Sequence, residues 1–213
     1  RSPDNVKQRL ARIAKRAMQS APEEHHIHKS LLHVYLFHFL RTGDEESETF
    51  VNFHIAECDT RRASDSLSSQ LHNCRAGGWL TAGDGVRILV AQEAVRKRTW
   101  GFLGRLLSAA QTKLQIHRER WQQLHVDDKP DADDVNATQE AILRTFKLVD
   151  DIAMQLYFAS GAFADKQNKE DGHLTEPQRR RFWVESANLF HALAAEMHPH
   201  TTYQIIEALH HLL

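Results

Sequence analysis

The fold is decided by residues 102–124, FLGRLLSAAQTKLQIHRERWQQL. Phe102, Leu103, Leu106, Leu107, Ala110, Leu114, His117, Trp121 and Leu124 return every third or fourth position, the period of one face of an α-helix. Counted from Glu93, the pattern holds for about thirty residues and predicts a rod roughly 45 Å long. An apolar stripe of that length has to be covered by other helices, so the chain is expected to be all-α.

Working outward from this rod, Asp127 to Asp134 is a charged, proline-containing linker. Beyond it, Ile142, Phe146, Val149, Ala153, Leu156 and Tyr157 mark the face of a further helix. Asp165 to Gly172 is a second polar loop. Thr175-Glu176-Pro177-Gln178 then has the form of a capping box, opening a helix with Phe182, Leu189, Phe190, Leu193 and Met197. His198-Pro199 ends that helix, and a last one carries Ile205, Ile206, Leu209, Leu212 and Leu213.

Upstream, Ser2-Pro3-Asp4-Asn5 caps a basic amphipathic helix bearing Val6, Leu10, Ile13, Ala17 and Met18. Ala21-Pro22-Glu23-Glu24 opens the next helix, which runs to Arg41 with Gly43 as its C-cap. Leu31 to Leu40 is apolar nearly all round, which predicts a buried central helix. Residues 43–92 are ambiguous. Val51, Phe53 and Ile55 alternate with Asn52 and His54, and Val86 to Ala91 is a short β-branched run, so 49–57 and 85–92 read as strand or helix. Between them Arg61 to Arg75 reads as a helix with Leu67 and Leu71 on one face, ended by Gly77-Gly78. The expected architecture is an irregular bundle of six or seven helices, with a two-stranded β element as the alternative for the two ambiguous runs. Residues 1–126 form an N-terminal part and 135–213 a C-terminal part, packed as one unit without a fixed repeat.

The 213 residues carry a net charge of −1 and a pI near 7.0, which excludes a surface that is basic throughout. Two cysteines, Cys58 and Cys74, cannot form a disulfide framework. The longest apolar run, interrupted by His33 and His38, is well short of the roughly 20 residues that cross a bilayer. With no signal-peptide pattern at the start, the expected compartment is the cytoplasm, without membrane contact. The chain opens on Arg1 and closes inside an apolar helical run, and is therefore expected to be a segment of a larger polypeptide.

No phosphate-binding GxxxxGK[ST] or GxGxxG, no HExxH and no GxSxG is present. No catalytic residue and no cofactor is therefore expected. Three residue sets carry alternative readings. His54 and Cys58, spaced i, i+4, with His72 and Cys74, combine the imidazole and thiolate ligands that zinc prefers; two buried, inert cysteines are the plainer account. Lys7, Arg9, Arg12, Lys15 and Arg16, then Arg96, Lys97, Arg98 and Arg105, then Arg179, Arg180 and Arg181 would bind nucleic acid if they converged on one face; solvated helix faces are the plainer account. Arg120-Trp121-Gln122-Gln123-Leu124-His125 fits the R-x4-6-H pattern of the HEPN ribonucleases, which this stretch resembles. That resemblance implies Arg120 and His125 acting on an RNA 2′-hydroxyl and phosphate. Trp121 stands where that family favours a polar residue.

Phe182-Trp183, Leu189-Phe190-His191-Ala192-Leu193, His198-Pro199-His200-Thr201-Thr202-Tyr203 and Ile205-Ile206-Glu207-Ala208-Leu209 together resemble the helical tails of large bacterial ATP-binding proteins. Some of those are implicated in defence against phage. The resemblance implies a helical region accompanying a nucleotide-binding part that has no counterpart in these residues. The expected function is a non-catalytic interaction, scaffold or sensor region whose partners are other domains or subunits. The alternatives are a nucleic-acid-binding or RNA-cleaving helical domain, and a metal-binding helical protein.

Overall fold

The computed structural model describes residues 25–76, 93–126 and 131–164, with Pro177 and Val184, and it describes the side chains of 28–72, 93–126, 131–153, 155, 177 and 184. Five helices account for nearly all of it: α1 (His25–Thr42), α2 (Glu45–Ala56), α3 (Arg61–Ala76), α4 (Glu93–Val126) and α5 (Ala132–Ala164). The described part is all-α, with no strand among the described residues. The expected helices at 2–18 and 175–213 and the run Val86 to Ala91 lie outside it.

The rod read from residues 102–124 is α4, whose 34 residues span about 50 Å. Phe102, Leu103, Leu106, Leu107, Ala110 and Leu114 are buried, as their spacing predicts. At its far end α4 turns back into α5: Arg120 reaches Asp134 at 3.0 Å, and the Arg118 guanidinium lies 5.2 Å from the Phe146 ring centre. These cross-contacts define an antiparallel αα-hairpin.

The strand reading of Val51 to Ile55 is overturned. The run is α2, because burial follows the helical period Ser47, Val51, His54, Ile55 and sends Phe53 outward. Asp44 caps α2, accepting from the Ser47 amide at 3.0 Å, and Glu45, Glu46 and Glu48 suit the positive end of its dipole. α1 stops where expected, at Gly43, whose φ of +74° favours glycine. A Cβ there would also come within 3.2 Å of Arg98 Nη1. That guanidinium donates to the carbonyls of Leu40 and Arg41, both at 2.9 Å, and so satisfies acceptors that the helix end leaves open. Tyr35 against Phe50 and His28 against His54 show α1 and α2 to be antiparallel.

α1 is not buried all round. Leu32, Leu36, Phe39 and Leu40 face the core, while Val34 and Phe37 are 41% and 40% exposed. The interior position belongs instead to α3, which lies against both α1 and α5. Ala63, Ser64, Ser66, Leu67, Ser68, Gln70 and Leu71 of α3 are all buried. Short serine side chains let neighbouring backbones approach, and their hydroxyls find partners: Ser66 Oγ donates to the Arg62 carbonyl at 2.7 Å. The linker is shorter than expected, because Asp133 and Asp134 already lie in the first turn of α5. The core takes residues from both sides of it, including Leu36, Val51, Leu67, Phe102, Leu148 and Ile152.

Candidate functional site

Several polar ties join the helices, among them Gln70 of α3, which donates to the Lys29 carbonyl of α1 at 2.9 Å. Two of these ties are knots centred on a carboxylate that gathers residues far apart in sequence. At the first, Asp151 on α5 is buried against α3, where the Ser68 hydroxyl donates to its Oδ2. His72 Nε2 lies 3.1 Å from its Oδ1. Burial pushes the Asp151 carboxyl above the ordinary aspartate range, against the pull of Ser68 and the His72 charge. Serine, aspartate and histidine are the residue types of a hydrolytic triad, but the order differs. The carboxylate sits between the other two, and the buried Ser68 hydroxyl is committed to it instead of to an imidazole base. The arrangement joins α3 to α5.

At the second knot, Asp59 sits in the turn between α2 and α3. His117 Nε2 lies 2.9 Å from its Oδ2 and Lys113 Nζ 3.0 Å from its Oδ1, both reaching from α4. Arg144 of α5 approaches the Asp59 carbonyl at 3.5 Å. Burial acts to raise the Asp59 carboxyl, yet hydrogen bonds from Lys113 and His117, with the Lys113 charge, hold it below the usual range. Lys113 is held above its own usual range in return, chiefly by the hydrogen bond to Asp59.

The residue sets singled out from sequence are dispersed among these helices. His54 is buried, its Nδ1 donating to the Phe50 carbonyl at 3.1 Å. Cys58 is a core residue whose thiol is pushed up to about 11 by burial and the nearby Asp59 charge, so it stays protonated. His72 belongs to the Asp151 knot, and the Cys74 side chain lies outside the described residues. Among the described residues no group of three His, Cys, Asp or Glu is placed to hold a metal ion. Arg120 pairs with Asp134, and His125 Nδ1 donates to the Trp121 carbonyl at 2.8 Å. Five positions apart on an unbroken helix, Arg120 and His125 leave the axis about 140° from each other.

Of the basic sets, Lys7 to Arg16 and Arg179 to Arg181 lie outside the described residues. Arg96 is buried, Lys97 pairs with Glu93 at 2.9 Å, Arg98 closes the end of α1, and Arg105 pairs with Glu48 at 3.3 Å. Arg98 and Arg105 are thus tied to α1 and α2, while Lys97 is spent on a surface pair within its own helix. No helix among the described residues is long and apolar enough to cross a membrane.

The outer side of the α1–α2 hairpin has a different character. Tyr35 stacks on Phe50 with ring centres 4.3 Å apart, and Phe53, half exposed, meets the His54 ring edge-on at 5.7 Å. Burial, then the charges of Glu46 and Asp44, raise the Tyr35 hydroxyl above its ordinary range. Sequence reading put Tyr35 in a buried helix, and it is half-buried against the core. Phe53 was left open between strand and helix, and the Asp44 cap, with glutamates following it, was the local signal that turns Phe53 outward.

One pH dependence follows from His54. Burial, with the charges of His28 and Arg62, holds its imidazole below the ordinary 6.5, outweighing the Phe50 carbonyl. The unfolded chain therefore takes up this proton first, and stability is lost as the pH falls through and below 6.5. Denaturation midpoints of the wild type are expected to drop between pH 7.5 and 5.5, with a shallower slope in His54→Leu. Equal slopes would remove His54 from the account.

No protein-family model, curated protein or solved structure matches this chain.

Proposed function

We propose that the chain is a non-catalytic interaction and scaffold region of a larger protein, working through the outer faces of its helices. The observation that carries this reading is the contrast between its two kinds of special residue. The polar clusters that resemble catalytic or metal-binding sets are spent on joining helices. Large apolar side chains, by contrast, stand outward: Val34, Phe37 and Phe53 on α1 and α2, Ile116 and Val126 on α4, and Leu143 on α5. Both exposed phenylalanines among the described residues lie on the α1–α2 hairpin, and large exposed apolar groups mark surfaces that another protein covers. The similarity of residues 182–209 to the helical tails of ATP-binding proteins supports a place beside a nucleotide-binding part, which would supply any turnover. The nucleic-acid and metal alternatives draw less support, since Arg98, Arg105, Cys58 and His72 already have partners inside the fold.

The test has two arms. The purified 213-residue chain is expected to turn over neither RNA nor ATP, whereas turnover abolished by one polar substitution would overturn the reading. Photo-crosslinkers at Val34 and Phe37 are expected to capture a defined partner, and the Val34→Ser/Phe37→Ser variant to lose its association while keeping wild-type helicity.

A further inference from the structure

We infer that the outer face of the α1–α2 hairpin, formed by Tyr35, Phe50 and Phe53 with Glu46 and Glu57, is the docking site for a basic amphipathic helix of a partner protein. The inference rests on the interaction role proposed above and specifies the chemistry of the partner. Glu46, Thr49, Phe53 and Glu57 follow one another at i, i+3, i+7 and i+11, a single stripe about 16 Å long on α2 and the turn that follows it. Phe53 stands at its centre, and the half-buried Phe50 joins it to Tyr35 on α1. The stripe therefore offers an apolar anchor with a carboxylate on either side.

Charge selects the occupant. α2 contains no lysine or arginine at all. Glu48 is neutralised by Arg105, whereas Glu45, Glu46 and Glu57 take part in no ion pair among the described residues. An acidic helix laid on this stripe would meet like charge. A purely apolar one would strip water from carboxylates without replacing it. A helix with apolar residues on one side and lysine or arginine along its flank satisfies both parts. Its apolar side covers Phe53, its cations face Glu46 and Glu57, and a guanidinium or ammonium gains further over the aromatic rings. Of the cations on α1, Arg41 is already seated over Phe37, with its guanidinium carbon 5.5 Å from the ring centre.

The experiment measures fluorescence anisotropy of three labelled 18-residue peptides against the full chain. One places leucine and lysine on opposite faces of a helix, one scrambles that order, and one replaces lysine by glutamate. The first is expected to bind, the scrambled peptide to bind about tenfold more weakly or worse, and the acidic one not to bind. Phe53→Ser is expected to weaken the first peptide about tenfold. Glu46→Lys/Glu57→Lys should transfer the preference to the acidic peptide. Leu143→Ser, exposed on α5 and away from both α1 and α2, serves as the unchanged control, and circular dichroism checks that each variant is folded. Equal binding of ordered and scrambled peptides, indifference to the Phe53 and glutamate substitutions, or no binding would overturn the inference. So would a wild-type dimer in sedimentation that Phe53→Ser dissociates, because a second copy would then occupy the face. Any of these failures leaves the interaction role standing, since that role is judged by substrate turnover and by partner loss in the Val34/Phe37 variant.

Discussion

Phe102→Ala is expected to lower the unfolding free energy by about 4 kcal/mol, the range for emptying a buried aromatic site. Phe102 is 1% exposed and the bulkiest of the fully buried side chains. It stands on α4, the helix that meets α1, α2 and α5, so a void there faces several neighbours at once. Backbones held by separate knots at Asp59 and Asp151 cannot all close on the gap, which places the loss toward the upper part of the range. Urea denaturation followed by circular dichroism reads it as a fall in midpoint at unchanged slope. A loss below about 1 kcal/mol would mean that the helices around Phe102 do not pack as described.

The second large effect is at Asp59, a residue of an interhelical turn with no hydrophobic contribution to make. Asp59→Ala is expected to cost about 2 kcal/mol, because it leaves Lys113 and His117 desolvated without their counter-charge. The expected figure stays modest because Lys113 is still 31% exposed and water recovers part of the loss. Acid titration supplies an independent check. The folded-state value of this carboxyl is held below the ordinary 3.8, so its stabilisation is complete above that pH and is lost as the pH falls through the folded value. Asp59→Asn should flatten the wild-type stability curve in that acidic window, and Lys113→Met should do so in part. Wild-type behaviour of Asp59→Asn below pH 4 would show that the carboxylate is not the tie.

The long helices were legible because their apolar residues outnumber the alternatives over many turns. α4 could be read from its own stripe, and the end of α1 from Gly43, where only backbone geometry matters. α2 was left open between strand and helix because Val51, Phe53 and Ile55 alternate by chance over five residues, too short a run to separate a period of 2 from one of 3.6. Its cap at Asp44 would have decided the matter. The burial of α3 was hidden for another reason: serine is counted as polar, yet Ser64, Ser66 and Ser68 are interior residues with small volumes and short hydrogen-bond reach. The two knots left no local trace. Ser68 and Asp151 lie 83 residues apart, and Asp59 and His117 lie 58 apart, so tertiary folding alone brings them together. The Arg120–His125 pattern, by contrast, was plain in the sequence, and in the fold its arginine is turned to Asp134.

The serine-lined surface of α3 sets a one-sided limit on how this protein can change over time. A leucine-lined helix can lose a methyl group and leave a void that its neighbours partly fill, but a helix seated on hydroxymethyl groups has no spare diameter to surrender. Each enlargement at Ser64, Ser66 or Ser68 would wedge α1 or α5 outward along its length. The least greasy segment of the bundle is therefore the one whose bulk is most tightly capped: drift at Ser64 and Ser66 is confined to alanine, glycine and serine itself, and Ser68 must in addition keep the hydroxyl that Asp151 accepts from.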